Sequence, residues 1–275
     1  MDWDLTPYFP QFNGIEMKEF KEKLRGDISD LIKTASMLTP LTGGNEDRWE
    51  GIFEKYEDLL KRLSHLGSYI GCHAAADSRN EEYLQEESEM ALIRADISKL
   101  KIEILRALKE SGDETFISFI NREALKGASH YLRRLREESQ RTMNPDQEKL
   151  AADLGVDGIH AWGRLYDTLS GKLEFEMEVP GGKLERVPVS QRRSLMENPD
   201  RQTRKAAFEK GNNAWESVED TAAAALNAIS GTRLTLNRHR EVEHFLDVAL
   251  FQSGITRKTL HAMLEAVYTE LDLPR

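Results

Sequence analysis

The sequence predicts a mainly α fold, built of long antiparallel helices with a small β-hairpin insertion near residues 173–189. Three observations predict it. Apolar residues recur at spacings of three and four over long segments, the period of a helix with one buried face. The triplet Asn-Pro-Asp, a helix-start signal, occurs twice, at Asn144 and Asn198. One stretch alone switches to the two-residue period of a strand, and a Pro-Gly-Gly turn follows it.

The first helix is expected from near Asn13, where Asn13 and Glu16 have the spacing of a capping box. It carries Leu24, Ile28, Leu31, Ile32 and Leu38, and stops before Pro40 and the Gly43-Gly44 turn. A second stripe runs from Trp49 through Ile52, Phe53, Tyr56, Leu59, Leu60, Leu63, Leu66 and Tyr69 to Ile70. A third follows Asn80, with Leu84, Ile93, Ile97, Leu100, Ile104 and Leu108 as its buried side. The link between the second and third segments is short, so the two should pair antiparallel. At Asn144 and Asn198 the asparagine can cap the first free amides. Proline then fits the first helical position, and aspartate meets the positive end of the helix dipole. The second start opens a segment expected to run from Pro199 to about Arg240, weakly interrupted by Gly211 and Gly231, and a last helix spans about Thr256 to Leu271. Between them Leu173, Phe175, Met177 and Val179 alternate with Lys172, Glu174, Glu176 and Glu178; Pro180-Gly181-Gly182 turns, and Leu184 to Val189 returns. A lone hairpin is marginal in water, so this one must lie against helices.

Composition excludes several function classes. The 275 residues include 38 Lys and Arg against 48 Asp and Glu, a net charge of −10. That balance opposes a broad nucleic-acid or anionic-membrane surface, because neutralising phosphates needs clustered cations. The single cysteine forms no internal disulfide and no four-cysteine zinc site. No apolar run is long enough to span a bilayer, and the acidic start MDWDLTPYFP lacks the apolar core of a signal peptide. A cytoplasmic protein is expected.

The seven histidines were the natural place to seek a metal or a base, and no two have the four-residue spacing of a helical zinc site. In HREVEH, His239 and His244 are five apart, which turns their rings about 140° from each other on a helix. Glu241 and His244 make one Glu-x-x-His unit, where a di-iron bundle needs two plus further glutamates. His65 and His73 face similarly but stand about 12 Å apart along a helix, too far for one ion. They flank a small-residue patch (Gly67, Gly71, Ala74 and neighbours) that would admit another helix closely, with Cys72 inside it as a structural thiol. Arg133, Arg134, Arg136 and Arg141, interleaved with Glu137 and Glu138, read as a solvated helix face. No phosphate loop or serine elbow is present. The residues alone stop at an α-helical scaffold.

Four stretches read together go further: MDWDLTPYFPQF at the start, AWGRLYDTLSGKLEF (161–175), VPVSQRRSLMENPDRQTRKAAFEKGNNAWE (187–216) and AAALNAISGTRLTLNRHREVEHFLDVALFQSGITRKTLHAM (223–263). In order, they resemble the N-terminal half of oligoendopeptidase F and its thimet-like zinc oligopeptidase relatives, over essentially the whole chain. One position departs from that pattern: Glu241 stands where the family carries glycine.

The resemblance implies a mostly helical protein whose halves enclose a peptide channel. It implies zinc held by two histidines of His-Glu-x-x-His and a downstream glutamate, with the motif glutamate as general base. That motif belongs beyond the block ending at Met263 and does not occur in this sequence, so no catalytic or zinc residue transfers to it. The full-length enzyme would be a zinc metalloendopeptidase acting on short peptides. This chain, inactive alone and binding no metal, would depend on a missing C-terminal catalytic half. Residues 1–140 would form an N-terminal helical region with a long helical hairpin, and 141–275 the first part of the peptidase domain. Trp162, Tyr166, Arg238, His239 and Arg240 are the candidates for the channel wall. Helices without their partner half would expose apolar faces and self-associate. The alternative is a non-catalytic helical scaffold or binding module of the same fold.

Overall fold

The computed structural model describes residues 4–179 and 182–272. Three long helices, α1 (Ile15–Ser36), α2 (Glu46–Ala76) and α3 (Glu81–Lys109), pack against one another. Each buries most of the stripe expected of it: Leu24, Ile28 and Leu31 in α1, Trp49, Ile52, Phe53, Tyr56, Leu59, Leu66, Tyr69 and Ile70 in α2, and Ile93, Ile97, Leu100, Ile104 and Leu108 in α3; Ile32, Leu60, Leu63 and Leu84 are half-buried. Asn80 caps α3, accepting from the Glu82 and Tyr83 amides. Gly67 on α2 meets the Met90 and Arg94 side chains on α3, so the two helices run antiparallel as expected and the glycine permits close approach. Cys72, by contrast, is exposed.

Charged tethers fix the bundle's register. Lys21 of α1, itself buried, donates to the buried Glu86 of α3 at 2.7 Å and to Glu89 at 2.9 Å. At the other end Arg106 of α3 donates to the Ser36 and Leu38 carbonyls where α1 stops. Two shorter helices, α4 (Asp113–Ile120) and α5 (Ser129–Ser139), close the core with Phe116, Phe119, Leu132 and Leu135. Among the described residues, the cluster so formed draws its buried side chains from Phe9 to Leu135.

The second half is thinner. Helix α6 (Pro145–Asp157), capped by Asn144 with Pro145 in its first turn, lies on α3; α7 (Ile159–Lys172) packs on α6 and leads into strands β1 (Glu174–Val179) and β2 (Lys183–Pro188). The strands pair antiparallel, Phe175 opposite Val187 and Met177 opposite Glu185. Phe175, Met177, Val187 and Val189 form a small separate core with Ala207. That alanine lies on α9 (Arg201–Glu216), which covers the hairpin after the one-turn α8 (Arg192–Met196). Of the expected turn, Pro180 and Gly181 lie outside the described residues, and Gly182 takes a positive φ of 78°. Helix α10 (Glu219–His239) returns along α7, and α11 (Asp247–Ser253) and α12 (Arg257–Thr269) complete the chain.

Four local readings are corrected. Asn13 does not cap α1: its φ is 55°, its side chain donates to Glu82 on α3, and Gly14 takes the cap position. Asparagine tolerates that left-handed backbone, and its Oδ1, the atom that would accept from the first helical amides, is buried without a partner among the described residues. The second Asn-Pro-Asp works two residues later: Asn198 accepts from the Asp200 amide, and Asp200 caps α9 through the Gln202 and Thr203 amides. The segment after it breaks at Ser217–Val218 and not at its glycines. Gly211 instead makes room for Arg192, whose Cδ would stand 2.5 Å from an added Cβ. Finally, the arginines of α5 are not all solvated. Arg134 donates to the Phe251 carbonyl and Arg136 to the Ser111 carbonyl and Asp113, because a guanidinium fork suits helix-end carbonyls.

Helix α10 is closed by Arg240 at its C-cap and then by Glu241, at φ 55°. The Val242 amide bonds the Asn237 carbonyl at 2.9 Å and the Glu241 amide bonds the Arg238 carbonyl at 3.2 Å, the pattern in which glycine usually supplies the left-handed residue. An exposed carboxylate there also faces the negative end of the helix dipole. Glu241→Gly is therefore expected to stabilise the chain by about 1 kcal/mol. A thermal melt at neutral pH reads this, and an unchanged or lower Tm would refute it.

Candidate functional site

A cleft of about 870 Å³ opens between α2 and α3 on one side and α7, α8 and α9 on the other. Helix α2 contributes the small residues Gly71, Ala74 and Ala75, which leave space where larger side chains would fill it. At one point the sides touch, where the Ser78 hydroxyl lies so near Gly171 that a Cβ would come within 2.8 Å. Glu87 enters from α3, Asp167 from α7, and Arg192 and Arg193 from α8. Trp215, near the end of α9, contributes an aromatic surface, its ring stacked on Tyr166 at 5.9 Å and 13°.

Burial raises the Glu87 carboxyl above its ordinary range; the Asp167 charge adds to this, and Arg94 and Arg164 oppose it. Neither Glu87 nor Asp167 forms an ion pair or side-chain hydrogen bond among the described residues. Arg192 lies over the Phe208 ring and donates to Asn212 at 2.6 Å, while its buried Nε has no acceptor. The cleft thus brings both signs of charge to an apolar surface, an arrangement suited to binding.

Of the channel-wall candidates, Tyr166 is 45% exposed and backs Trp215 at the cleft. Trp162, half-buried, lies one turn earlier on α7. Arg238 and His239 are exposed at the end of α10. Arg240 is committed elsewhere: its guanidinium grips the Glu148 carboxylate of α6 at 2.6 and 2.9 Å. Burial opposes ionisation of Glu148, yet hydrogen bonds from Arg240 and the Met143 amide outweigh it and hold that carboxyl below its ordinary range. The five candidates therefore do not converge on one point. Glu87, Asp167, Arg193 and Trp215 were not singled out in the sequence, because they come from four helices and share no spacing.

The donor set does not fit a metal. Among the described residues no group of three or more His, Cys, Asp or Glu side chains is placed to hold a metal ion. In HREVEH the helix ends at His239, and the His244 Nδ1 accepts from the Leu246 amide at 3.1 Å, so the Glu-x-x-His unit is not a helical pair.

A family model described as Oligopeptidase F matches residues 108–175, from the end of α3 into β1. The crystal structure of oligoendopeptidase-F from Enterococcus faecium superimposes with a TM-score of 0.76 at 18% identity, over 94% of this chain and 51% of that one. The fold is that of oligoendopeptidase F. A protein from Chlamydophila abortus described as a peptidase aligns at a TM-score of 0.57 and 16% identity, over 98% of this chain and 45% of its own. No curated protein matches the chain by sequence. The chain spans about half the length of both structures. The resemblance to oligoendopeptidase F seen in the four sequence blocks is thus borne out, although the matched segment contains only the second block.

Proposed function

We propose that this chain is the amino-terminal part of a zinc-dependent oligopeptidase of the oligoendopeptidase F type, which cuts internal bonds of short peptides. The observation carrying this reading is the oligoendopeptidase F fold over 94% of the chain, joined to the sequence match at 108–175. In the complete enzyme zinc would polarise the scissile carbonyl and activate its bound water. Its ligands would come from a carboxy-terminal half, since the donor groups here fit none. Residues 1–140 form one helical region and 141–275 open the peptidase domain; the first core, confined to residues 9–135, supports that division. Trp162, Tyr166, Arg238 and His239 are assigned to the wall of a peptide channel, with Arg240 behind them in its pair with Glu148, and the enzyme works in the cytoplasm.

Helix α12 supports the dependence on a second half. Its side chains are exposed except for half-buried Leu260, and Met263, Leu264, Val267 and Tyr268 present apolar surface. Such a face favours self-association in the isolated chain. Reading the gene past codon 275 tests the proposal. A His-Glu-x-x-His motif within the next few hundred codons is expected, and its absence overturns the reading. Residues 1–275 alone should leave an internally quenched peptide intact, and hydrolysis by them would overturn the dependence on a second half.

A further inference from the structure

Residues 5–14 form a strap that touches all three long helices before α1 begins. Phe9 is buried against Phe20 of α1 and against His65 and Tyr69 of α2, with ring centroids 5.4, 5.1 and 5.0 Å away. Phe12 packs on Tyr69 and His73 of α2 and on Tyr83 of α3, at 5.8, 4.9 and 4.5 Å. Asn13 ends the strap at φ 55°, and its Nδ2 donates to Glu82 of α3 at 2.8 Å. Both the Asn13 Oδ1 and the His73 Nε2 are buried there without a hydrogen-bond partner among the described residues.

The His73 ring joins three elements, with Phe12 of the strap, Tyr69 of α2 and Tyr83 of α3 at 4.9, 4.6 and 5.0 Å. Burial holds its imidazole below the ordinary range, with no charge contributing. Its titratable neighbours are the two tyrosines, which stay neutral in mild acid; burial raises Tyr69 further. Residues 5–14 carry no charged side chain, and Glu82, next to Tyr83, is occupied by Asn13. A neutral imidazole with its proton on Nδ1 leaves only a lone pair at Nε2. A second proton places an N–H and a positive charge at Nε2, where no acceptor is in reach. His65 differs, because its Nε2 stands 3.3 Å from the Tyr8 carbonyl, an acceptor for an N–H at that atom.

We propose that His73 is an acid-operated release for this strap: its protonation frees residues 5–14 from α2 and α3 while the helical bundle stays folded. The ring takes its second proton more readily once the strap is off. The closed form is therefore fully stable above the ordinary histidine range, about pH 6.5, and loses stability as pH falls below it. Release bares Phe9, Phe12 and Tyr69, an aromatic surface that the closed strap covers. The inference stands whether or not the complete protein is a peptidase.

Amide hydrogen exchange of the 275-residue chain at pH 8 and pH 5, each rate divided by the intrinsic rate at that pH, tests it. The Tyr8 and Gly14 amides, bonded to the Leu5 and Gln11 carbonyls, report on the strap, and the Leu59 amide of α2 reports on the bundle. Strap protection should fall about tenfold at pH 5, the effect of one unpaired buried donor, with Leu59 unchanged. His73→Phe keeps a ring and loses the titration, so its strap protection should be the same at both pH values; circular dichroism and Tm check that it folds. An NMR titration of the unsubstituted chain gives a second readout, in which His73 should titrate below its ordinary range. No fall in strap protection, an equal fall at Leu59, an equal fall in His73→Phe, or an ordinary His73 titration with the strap still protected overturns the proposal.

Discussion

Trp49→Ala is expected to cost about 3–5 kcal/mol, the largest effect of any single truncation here. Trp49 is 0% exposed, and its ring lies 5.8 Å from that of Phe53 and 6.5 Å from that of Phe119. Truncation opens a cavity where α2 meets α4, and the surrounding side chains can close it only in part. Urea denaturation should show a lower midpoint with an unchanged m value, since the folded surface barely alters. Trp49→Phe should cost markedly less: the buried indole N–H has no partner, so its removal breaks no hydrogen bond. A phenylalanine variant as unstable as the alanine one would mean that the N–H is satisfied after all.

Arg240→Met should cost about 3 kcal/mol, because it strands the Glu148 carboxylate, which is 5% exposed, with only the Met143 amide to bind it. The double variant with Glu148→Met should recover much of the loss, since the cost lies in the unpaired charge. The acid limb of the stability curve gives a second readout. The folded Glu148 carboxyl lies below its unfolded value, so its contribution is present above the unfolded pKa and is lost as pH falls through the folded one. Removing the guanidinium raises the folded pKa, so in Arg240→Met acid destabilisation should begin at higher pH. An unchanged Tm and acid limb would show that this pair does not hold α10 to α6.

The three long helices were legible because each has one apolar face meeting a complete core: the stripes from Leu24, Trp49 and Ile93 are the residues buried. The hairpin was legible for the same reason in a two-residue period, with Phe175 and Met177 inward. Helices α7 and α12 have no fully buried residue, so they follow a weaker pattern. The break at Ser217–Val218 fell where no glycine or proline marks it. The Asn144 cap was legible in type and position, whereas at Asn198 the type was right and the position wrong, because the neighbouring Asp200 takes the same amides. The cleft was not legible at all. Its charges are single residues on separate helices, and only packing brings Glu87 of α3 to Asp167 of α7.

The confinement of the larger core to residues 9–135 bears on how the chain is made as well as on how it stands. Everything that core needs has been synthesised before the hairpin is. A nascent chain can therefore bury Trp49, Leu100 and Phe119 while the later helices are still in the ribosome. The hairpin and α9 then assemble beside a finished neighbour. The cleft between them is a seam between an early and a late folding event, and the order of translation sets which side is built first.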